Sequence, residues 1–141
     1  MDTQILEEAD IGFAPELVAH GDGQAEAGMR ATARLLALPE APTAVFCYND
    51  MQALGALRAA RERGLNVPGD LSVVGLDDLY LSTYTDPPLT TLQQPKQEMG
   101  RLAAQILLEL LSGRSPESRI TLAGKLVVRQ STAPPRGVKG R

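Results

Sequence analysis

The sequence predicts an α/β fold built on a mainly parallel sheet. Short continuous apolar runs at residues 44–48 and 71–76 are typical of buried strands, and amphipathic helical patterns precede, separate and follow them. This alternation of strands and helices favours parallel pairing. The chain has 141 residues, of which 43% are hydrophobic and 22% charged, so it suits a single domain with a real core.

The first half of the chain contains two predicted helices and one predicted strand. Residues 4–10 have a short helical pattern, and residues 24–38 form an amphipathic helix that ends at Pro39. Between them, a short apolar run at 17–19 leads into a glycine-containing loop. The run at 44–48 is apolar without alternation, which predicts a strand buried on both faces.

The second half begins with a helix that Asn49 or Asp50 can cap and that continues to Arg63. Gly64 follows it in the position of a C′ residue. The small and apolar residues on one face of this helix predict a core contact: Ala53, Ala56, Leu57 and Ala60. The second buried strand, 71–76, comes next.

Three more elements and a tail complete the pattern. We predict a short extended segment at 89–93, a helix at 95–112 and a last strand at 122–129. The helix carries an apolar stripe at helical spacing, made of Met99, Leu102, Ala103, Ile106, Leu107, Leu110 and Leu111. Residues 134–141 have no apolar pattern and are expected to form a flexible tail.

Composition and missing motifs argue against an enzyme or a metalloprotein. One cysteine cannot form a zinc thiolate cluster, and the single histidine, His20, cannot form a multi-histidine metal site. The formal net charge of −3 argues against a chain-wide electrostatic grip on nucleic acid. The sequence lacks the phosphate-binding loop, the dinucleotide-binding glycine pattern and the nucleophile elbow, so we expect no cofactor. Cys47 lies in an apolar run, which predicts a buried, inert thiol.

Neither a membrane span nor a signal peptide is predicted. The chain has no run of 18 apolar residues, and its N-terminus lacks a basic region followed by an apolar stretch. These features predict a cytoplasmic protein.

Polar pairs follow two of the predicted strands. Asn49-Asp50 and Asp77-Asp78 would share a rim if their strands are neighbours, because ligands in open α/β sheets bind beyond the carboxyl ends of the strands. Carboxylates and amides there can bind the hydroxyl groups of a sugar or nucleoside. Asp77 and Asp78 are adjacent, so they should point to opposite faces.

A plain structural interpretation of these residues stays open. Asp and Asn at strand ends are often helix caps and turn formers. For Asp50 we favour this interpretation because the residue opens a helix, whereas for Asn49 and Asp77 spacing does not decide. Asp22 suits a turn, and Gln94 suits a polar strand end.

From Pro42 to Pro135 the chain resembles the C-terminal part of the lac-repressor-like (LacI/GalR) family of transcription regulators. The order and spacing of several segments carry the resemblance. They are residues 42–50, 53–59, 64–65, 67–68, 70–78 (Asp-Leu-Ser-Val-Val-Gly-Leu-Asp-Asp), 87–92 (Pro-Pro-Leu-Thr-Thr-Leu), 94–95, 99–100 and 126–135. A looser match extends back to Ile5.

The resemblance implies a three-layer α/β fold of periplasmic-binding-protein type. In that fold two subdomains close on a small effector, usually a sugar or a nucleoside-like molecule. Residues 1–133 would supply the C-terminal subdomain only, with the helix at 95–112 crossing back toward the other subdomain. The helix-turn-helix that binds DNA in the family is absent from this sequence.

The resemblance also implies roles for particular residues. The effector contacts of the family fall on Asn49, Asp77 and Gln94, and Asp22 is a further polar candidate. Gly23 stands where many members stack an aromatic ring on the effector. In the family, the helix at 51–63 and the segment after Asp78 help to form a homodimer.

These observations favour the effector-binding and dimerisation portion of a LacI-type regulator over other functions. DNA would be bound only through an N-terminal domain outside this sequence. The alternative is a sugar-binding protein of a transport system, which shares the fold but needs an export signal. We also expect the apolar stripe of the helix at 95–112 to drive self-association, because its partner subdomain is absent.

Overall fold

A four-stranded sheet forms the centre of the molecule. In a computed structural model, residues 4–116 and 119–135 are described. Their strands are β1 (Ala44–Phe46), β2 (Ser72–Leu76), β3 (Thr90–Gln93) and β4 (Lys125–Val127), in the order β1-β2-β3-β4. β1, β2 and β3 are parallel, and β4 is antiparallel to β3. The predicted α/β fold with a mainly parallel sheet is confirmed.

The described residues also form four α-helices. They are α1 (Gln4–Glu8), α2 (Ala25–Leu35), α3 (Asp50–Glu62) and α4 (Lys96–Leu111). α3 packs on β2, and α2 packs on α3. Glycines permit the close approach of α2 and α3: a Cβ atom at Gly28 would overlap the backbone of Gln52, and one at Gly55 would overlap that of Ala25.

α3 begins and ends as its sequence predicts. The Asn49 side chain caps the helix, because its Oδ1 accepts from the backbone N–H of Gln52 at 2.8 Å. At the other end Gly64 has φ of 70° and donates to the Arg61 carbonyl, while Leu65 donates to the Ala60 carbonyl, both at 3.0 Å. This is the glycine-ended Schellman pattern.

The core lies between α3 and the sheet. Small alanines on α3 let the helix approach β2 closely, where Leu71, Val73 and Leu89 are fully buried. The four predicted core residues of α3 all belong to this cluster, which consists of Cys47, Ala53, Ala56, Leu57, Ala60, Leu71, Val73 and Leu89. Burial raises the pKa of the Cys47 thiol to about 12, with a smaller contribution from the nearby Asp50. The predicted buried thiol is confirmed.

Asp50, the first residue of α3, is fully buried beneath the carboxyl ends of the strands. Its Oδ2 accepts from the Leu79 N–H at 2.7 Å and from the Ser82 hydroxyl at 2.6 Å, and its Oδ1 accepts from the Thr91 hydroxyl at 2.5 Å. Gly75 leaves room for this carboxyl group, since a Cβ there would overlap Oδ1. One side chain thus joins α3 to β3 and to the segment after β2.

The prediction that the strand at 44–48 is buried on both faces is wrong. Ala44 is exposed, and 69% of Phe46 is exposed, because β1 is an edge strand in the described sheet. In the apolar run at 17–19, the first residue ends a 3₁₀ helix, Pro15–Leu17. Among the described residues β1 has a neighbouring strand, β2, on one side only, so its outer edge stays open.

α4 forms over almost the predicted range but buries none of its side chains. Its apolar stripe is open to solvent, with 56% of Leu107 and 75% of Leu111 exposed. The last strand is shorter than predicted, at Lys125–Val127. Of the expected tail at 134–141, residues 136–141 lie outside the described residues. No helix in the described ranges is both long and apolar enough to cross a membrane.

Replacement of Gly75 by alanine should destabilise the fold. The new Cβ would overlap Asp50 Oδ1 and stand 3.0 Å from Leu89 Cδ2, so the core must shift, at a cost of about 1–3 kcal/mol. Urea unfolding of Gly75→Ala measures this loss. The matched control is Gly100→Ala on α4, where a Cβ meets nothing within 4 Å and alanine should be neutral or stabilising by up to about 1 kcal/mol. Equal stability of the two variants would contradict the packing described.

Cys47 should be almost unreactive while the protein is folded. Its pKa rises from 9.0 to about 12, so at pH 8 the thiolate fraction falls roughly a thousandfold relative to the ordinary thiol, and burial blocks access as well. Iodoacetamide labelling at pH 8, with and without urea, measures the difference. Labelling of the folded chain as fast as of the unfolded chain would show that the thiol is not buried.

Candidate functional site

The carboxyl ends of β1 and β2 form one rim. The two strands are parallel neighbours, and Phe46 lies level with Val74 in their register. Asn49 and Asp77 each follow that pair by three residues, so both stand at the same edge of the sheet. The condition set by the sequence, that the two strands are neighbours, is met.

Asn49 connects the rim to the loop before α2. While its Oδ1 caps α3, its Nδ2 donates to the carbonyl of Gly23 at 3.0 Å. Gly23 has φ of 87°, a conformation that favours glycine, and a Cβ there would stand 3.4 Å from Asn49 Nδ2. Asn49 is therefore a helix cap and also holds the loop against the rim.

Asp77 lies at the centre of a small polar cluster. Gln94 Nε2 donates to its Oδ1 at 2.7 Å, and Lys96 Nζ donates to its backbone carbonyl at 2.6 Å. Its own N–H donates to the Leu92 carbonyl at 2.9 Å, which extends the β2–β3 pairing past the strand end. The sequence candidates Asp77 and Gln94 are thus in direct contact.

Asp78 has a different set of partners, although both aspartates have positive φ rather than the extended backbone on which the sequence prediction rests. It forms an ion pair with Arg129 at 2.6 Å and accepts from Gln93 Nε2 at 2.9 Å. Arg129 also donates to the Leu89 carbonyl at 2.8 Å. Asp78 therefore ties β2 to the segment after β4, whereas Asp77 stays at the rim.

The backbone at these two aspartates is strained. Asp77 has φ of 119° and Asp78 has φ of 51°, both on the side of conformational space that non-glycine residues seldom occupy. Strain of this kind persists only where surrounding contacts hold it, and it is concentrated at functional sites. The contacts of Gln94, Lys96 and Arg129 supply that restraint here.

Asp22 lies apart from the Asp77 cluster. Its Oδ1 accepts from the Gln24 N–H at 2.9 Å, which makes it a turn residue, as the structural interpretation predicts. It lines a surface depression of about 620 Å³ together with His20, Arg30 and Arg34. Neither this depression nor a second one, of about 360 Å³, is lined by Asp77 or Gln94.

Two parts of the site were not visible to sequence reasoning. The sequence places Lys96 only at the start of a predicted helix. Its hydrogen bond to the Asp77 carbonyl depends on how α4 follows β3 in the fold. Asp50 does open a helix, as predicted, but its buried side chain also holds three other groups. The signal for Asp50 would have been the small residues around it, Gly75 and Ser82, whose nearness depends on the fold.

The chemistry available at the rim is hydrogen bonding. Asp77 offers carboxylate oxygens, Gln94 and Asn49 offer amides, and Lys96 offers an ammonium group, a set that suits a ligand rich in hydroxyl groups. Tyr48, which precedes Asn49, is 74% exposed and adds an aromatic ring at the end of β1. Across the described residues, no three His, Cys, Asp or Glu side chains are grouped to hold a metal ion.

Comparison with known proteins identifies relatives of this chain. Residues 3–132 match the family model of the periplasmic binding protein-like domain. The HTH-type transcriptional repressor CytR of Escherichia coli K12 is 45% identical over 130 residues, which cover 92% of this chain and 38% of CytR. The chain thus spans well under half the length of this relative.

Solved structures agree with this assignment. A transcriptional regulator CelR–cellobiose complex matches with a TM-score of 0.84 at 35% identity, over 92% of this chain and 40% of that one. The lac repressor dimer bound to operator and the anti-inducer ONPF matches with a TM-score of 0.81 at 37% identity, over 92% and 44% of the two chains. The chain therefore belongs to the periplasmic binding protein-like domain family, and it matches a part of LacI-type transcriptional regulators.

Proposed function

We propose that this chain supplies one wall of an effector cleft and the dimer surface of a longer LacI-type regulator, which acts on DNA in the cytoplasm. The observation that carries the proposal is the Asp77–Gln94 pair, which stands at the shared rim of β1 and β2 on a strained backbone. The remaining cleft wall and the DNA-binding part would come from portions of the longer protein outside this chain. The role is binding rather than catalysis.

The effector we infer is a neutral molecule with several hydroxyl groups, such as a carbohydrate or a nucleoside. Asp77 would accept a hydroxyl proton, and Gln94 orients the carboxylate while offering its own amide oxygen. Asn49 would contact the ligand through the amide hydrogen that the Gly23 carbonyl does not take. Asp22 would add a polar contact at the loop end. The similarity of this chain to the CelR–cellobiose complex supports this chemical class.

The dimer surface we infer lies on the outer side of α3. Leu54 and Arg58 of α3 line a depression of about 360 Å³ with Leu81 and Tyr84, which lie in or directly after the 3₁₀ helix Tyr80–Thr83. We call Leu54, Arg58, Tyr80, Leu81 and Tyr84 the tyrosine surface. Its apolar side chains are open, with 53% of Leu81 and 67% of Tyr84 exposed, a pattern typical of a protein contact.

The two tyrosines are preorganised for such a contact. Their ring centroids are 4.9 Å apart, and the Tyr80 hydroxyl donates to the Tyr84 hydroxyl at 2.9 Å, which raises the pKa of Tyr80. Because the rings are already fixed against each other, less side-chain entropy is lost on association.

Substitution of Asp77 by asparagine in the full-length regulator should weaken effector binding. Loss of a hydrogen bond to a charged group costs about 1.5–3 kcal/mol, which is roughly a ten- to hundredfold loss of affinity. Calorimetric titration with cellobiose, other mono- and disaccharides and the common ribonucleosides first identifies a ligand and then measures Asp77→Asn. The control is Asp10→Asn, an exposed aspartate that also has positive φ, at 56°. Unchanged affinity in Asp77→Asn would refute the role of Asp77.

Substitution of Leu81 by glutamate should weaken dimerisation, because a charge would enter the centre of the tyrosine surface. Sedimentation equilibrium on the 141-residue chain measures the dimer dissociation constant. The matching variant Leu107→Glu on α4 tests whether the dimer forms through the apolar stripe of that helix instead. A dimer lost in Leu107→Glu but kept in Leu81→Glu would instead support association through α4, and a monomeric wild type would refute both interfaces.

A further inference from the structure

The buried carboxyl group of Asp50 accepts hydrogen bonds from two different parts of the fold, the segment after β2 and strand β3. Oδ2 holds Leu79 and Ser82, which precede and lie within the 3₁₀ helix that carries Tyr80 and Leu81. Oδ1 holds Thr91 of β3. The distances of 2.5–2.7 Å and the full burial of the side chain make these contacts strong, because water cannot compete for them.

Thr91 continues the connection to the ligand rim. Its hydroxyl oxygen also accepts from the backbone N–H of Asp78 at 3.4 Å, and it lies three residues before Gln94 on the strand that pairs with β2. Asp50 therefore supports the strained backbone at Asp78 indirectly, through the Thr91 hydroxyl. It supports the 3₁₀ helix directly, through Leu79 and Ser82. Asp78 and Leu79 are consecutive residues, so both sets of contacts act on the same short segment.

We propose that Asp50 is a positioning residue that sets both the Asp77–Gln94 rim and the tyrosine surface from a single buried anchor. What the two surfaces do rests on the proposed function, whereas their common anchor rests on the contacts themselves. The neighbouring Asn49 fixes the Gly23 loop from the same helix start. The first turn of α3 is thus the fixed point from which loop, rim and tyrosine surface are placed.

The test uses reporters that need no ligand. The chain has three tyrosines, of which Tyr80 and Tyr84 lie on the tyrosine surface, so 3-fluorotyrosine labelling gives fluorine signals for that surface. The side-chain amide of Gln94 reports the rim, because it donates to Asp77 and is visible in a nitrogen–proton spectrum. Each reporter is followed in the full 141-residue chain.

Three variants remove the anchor or one link at a time. Asp50→Asn keeps one acceptor oxygen and replaces the other by a donor group, so the Tyr80, Tyr84 and Gln94 signals should all shift beyond their linewidths. Ser82→Ala should shift the tyrosine signals alone. Thr91→Val, which keeps the side-chain shape, should shift the Gln94 amide alone.

The control is Leu71→Ala, which opens a cavity in the same core just before β2. It should lower stability without displacing either reporter, so a general loss of packing is separated from loss of the anchor. If Asp50→Asn does not fold, the two single-link variants decide. Reporters that stay in place in all folded variants, or that shift equally in Leu71→Ala, would overturn the proposal. Failure to find an effector would not affect this result, because no ligand is used.

Discussion

The burial of one carboxyl group constrains the rest of this structure. A buried carboxyl group is costly unless hydrogen bonds replace its water, and Asp50 obtains three, one from a backbone N–H and two from hydroxyl groups. This requirement explains why position 75 is glycine, why positions 82 and 91 carry hydroxyl groups, and why the segment after β2 contacts the start of α3. The same contacts connect the packed core to the polar edge of the sheet.

The two aspartates after β2 have separate sets of partners. Asp78 contacts Arg129 and Gln93 and so connects β2 to the segment after β4. Asp77 is held by Gln94 and Lys96 at the edge, where a carboxylate can meet a ligand. Because each aspartate has its own partners, this short, strained segment is held both by the segment after β4 and by the residues that follow β3. The strain is maintained by Gln94 and Lys96, which follow β3, and by Arg129, which follows β4, so this edge of the sheet depends on contacts distant in sequence.

Several apolar surfaces of this chain are open to solvent. α3 and β2 form a tightly packed centre, whereas the outer edge of β1, the stripe of α4 and the tyrosine surface are open. The chain covers only 38% of CytR and 44% of the lac repressor chain. Surfaces of this kind are costly in water, so contacts with the rest of a longer protein or with a second copy would stabilise each of them.

Local patterns in the sequence determined most of the elements of this protein, because helix and strand periodicity, caps and turns are short-range properties. The core face of α3, its glycine end and the buried thiol follow from residues close together in the chain, and the family resemblance follows from the order and spacing of such short segments. The tertiary structure alone decided that β1 is an edge strand, that Lys96 reaches Asp77, and that Asp50 is an anchor. The contacts of Asp50 span 29 to 41 residues. No local pattern encodes such contacts, since they exist only once the sheet has brought α3, β3 and the segment after β2 together.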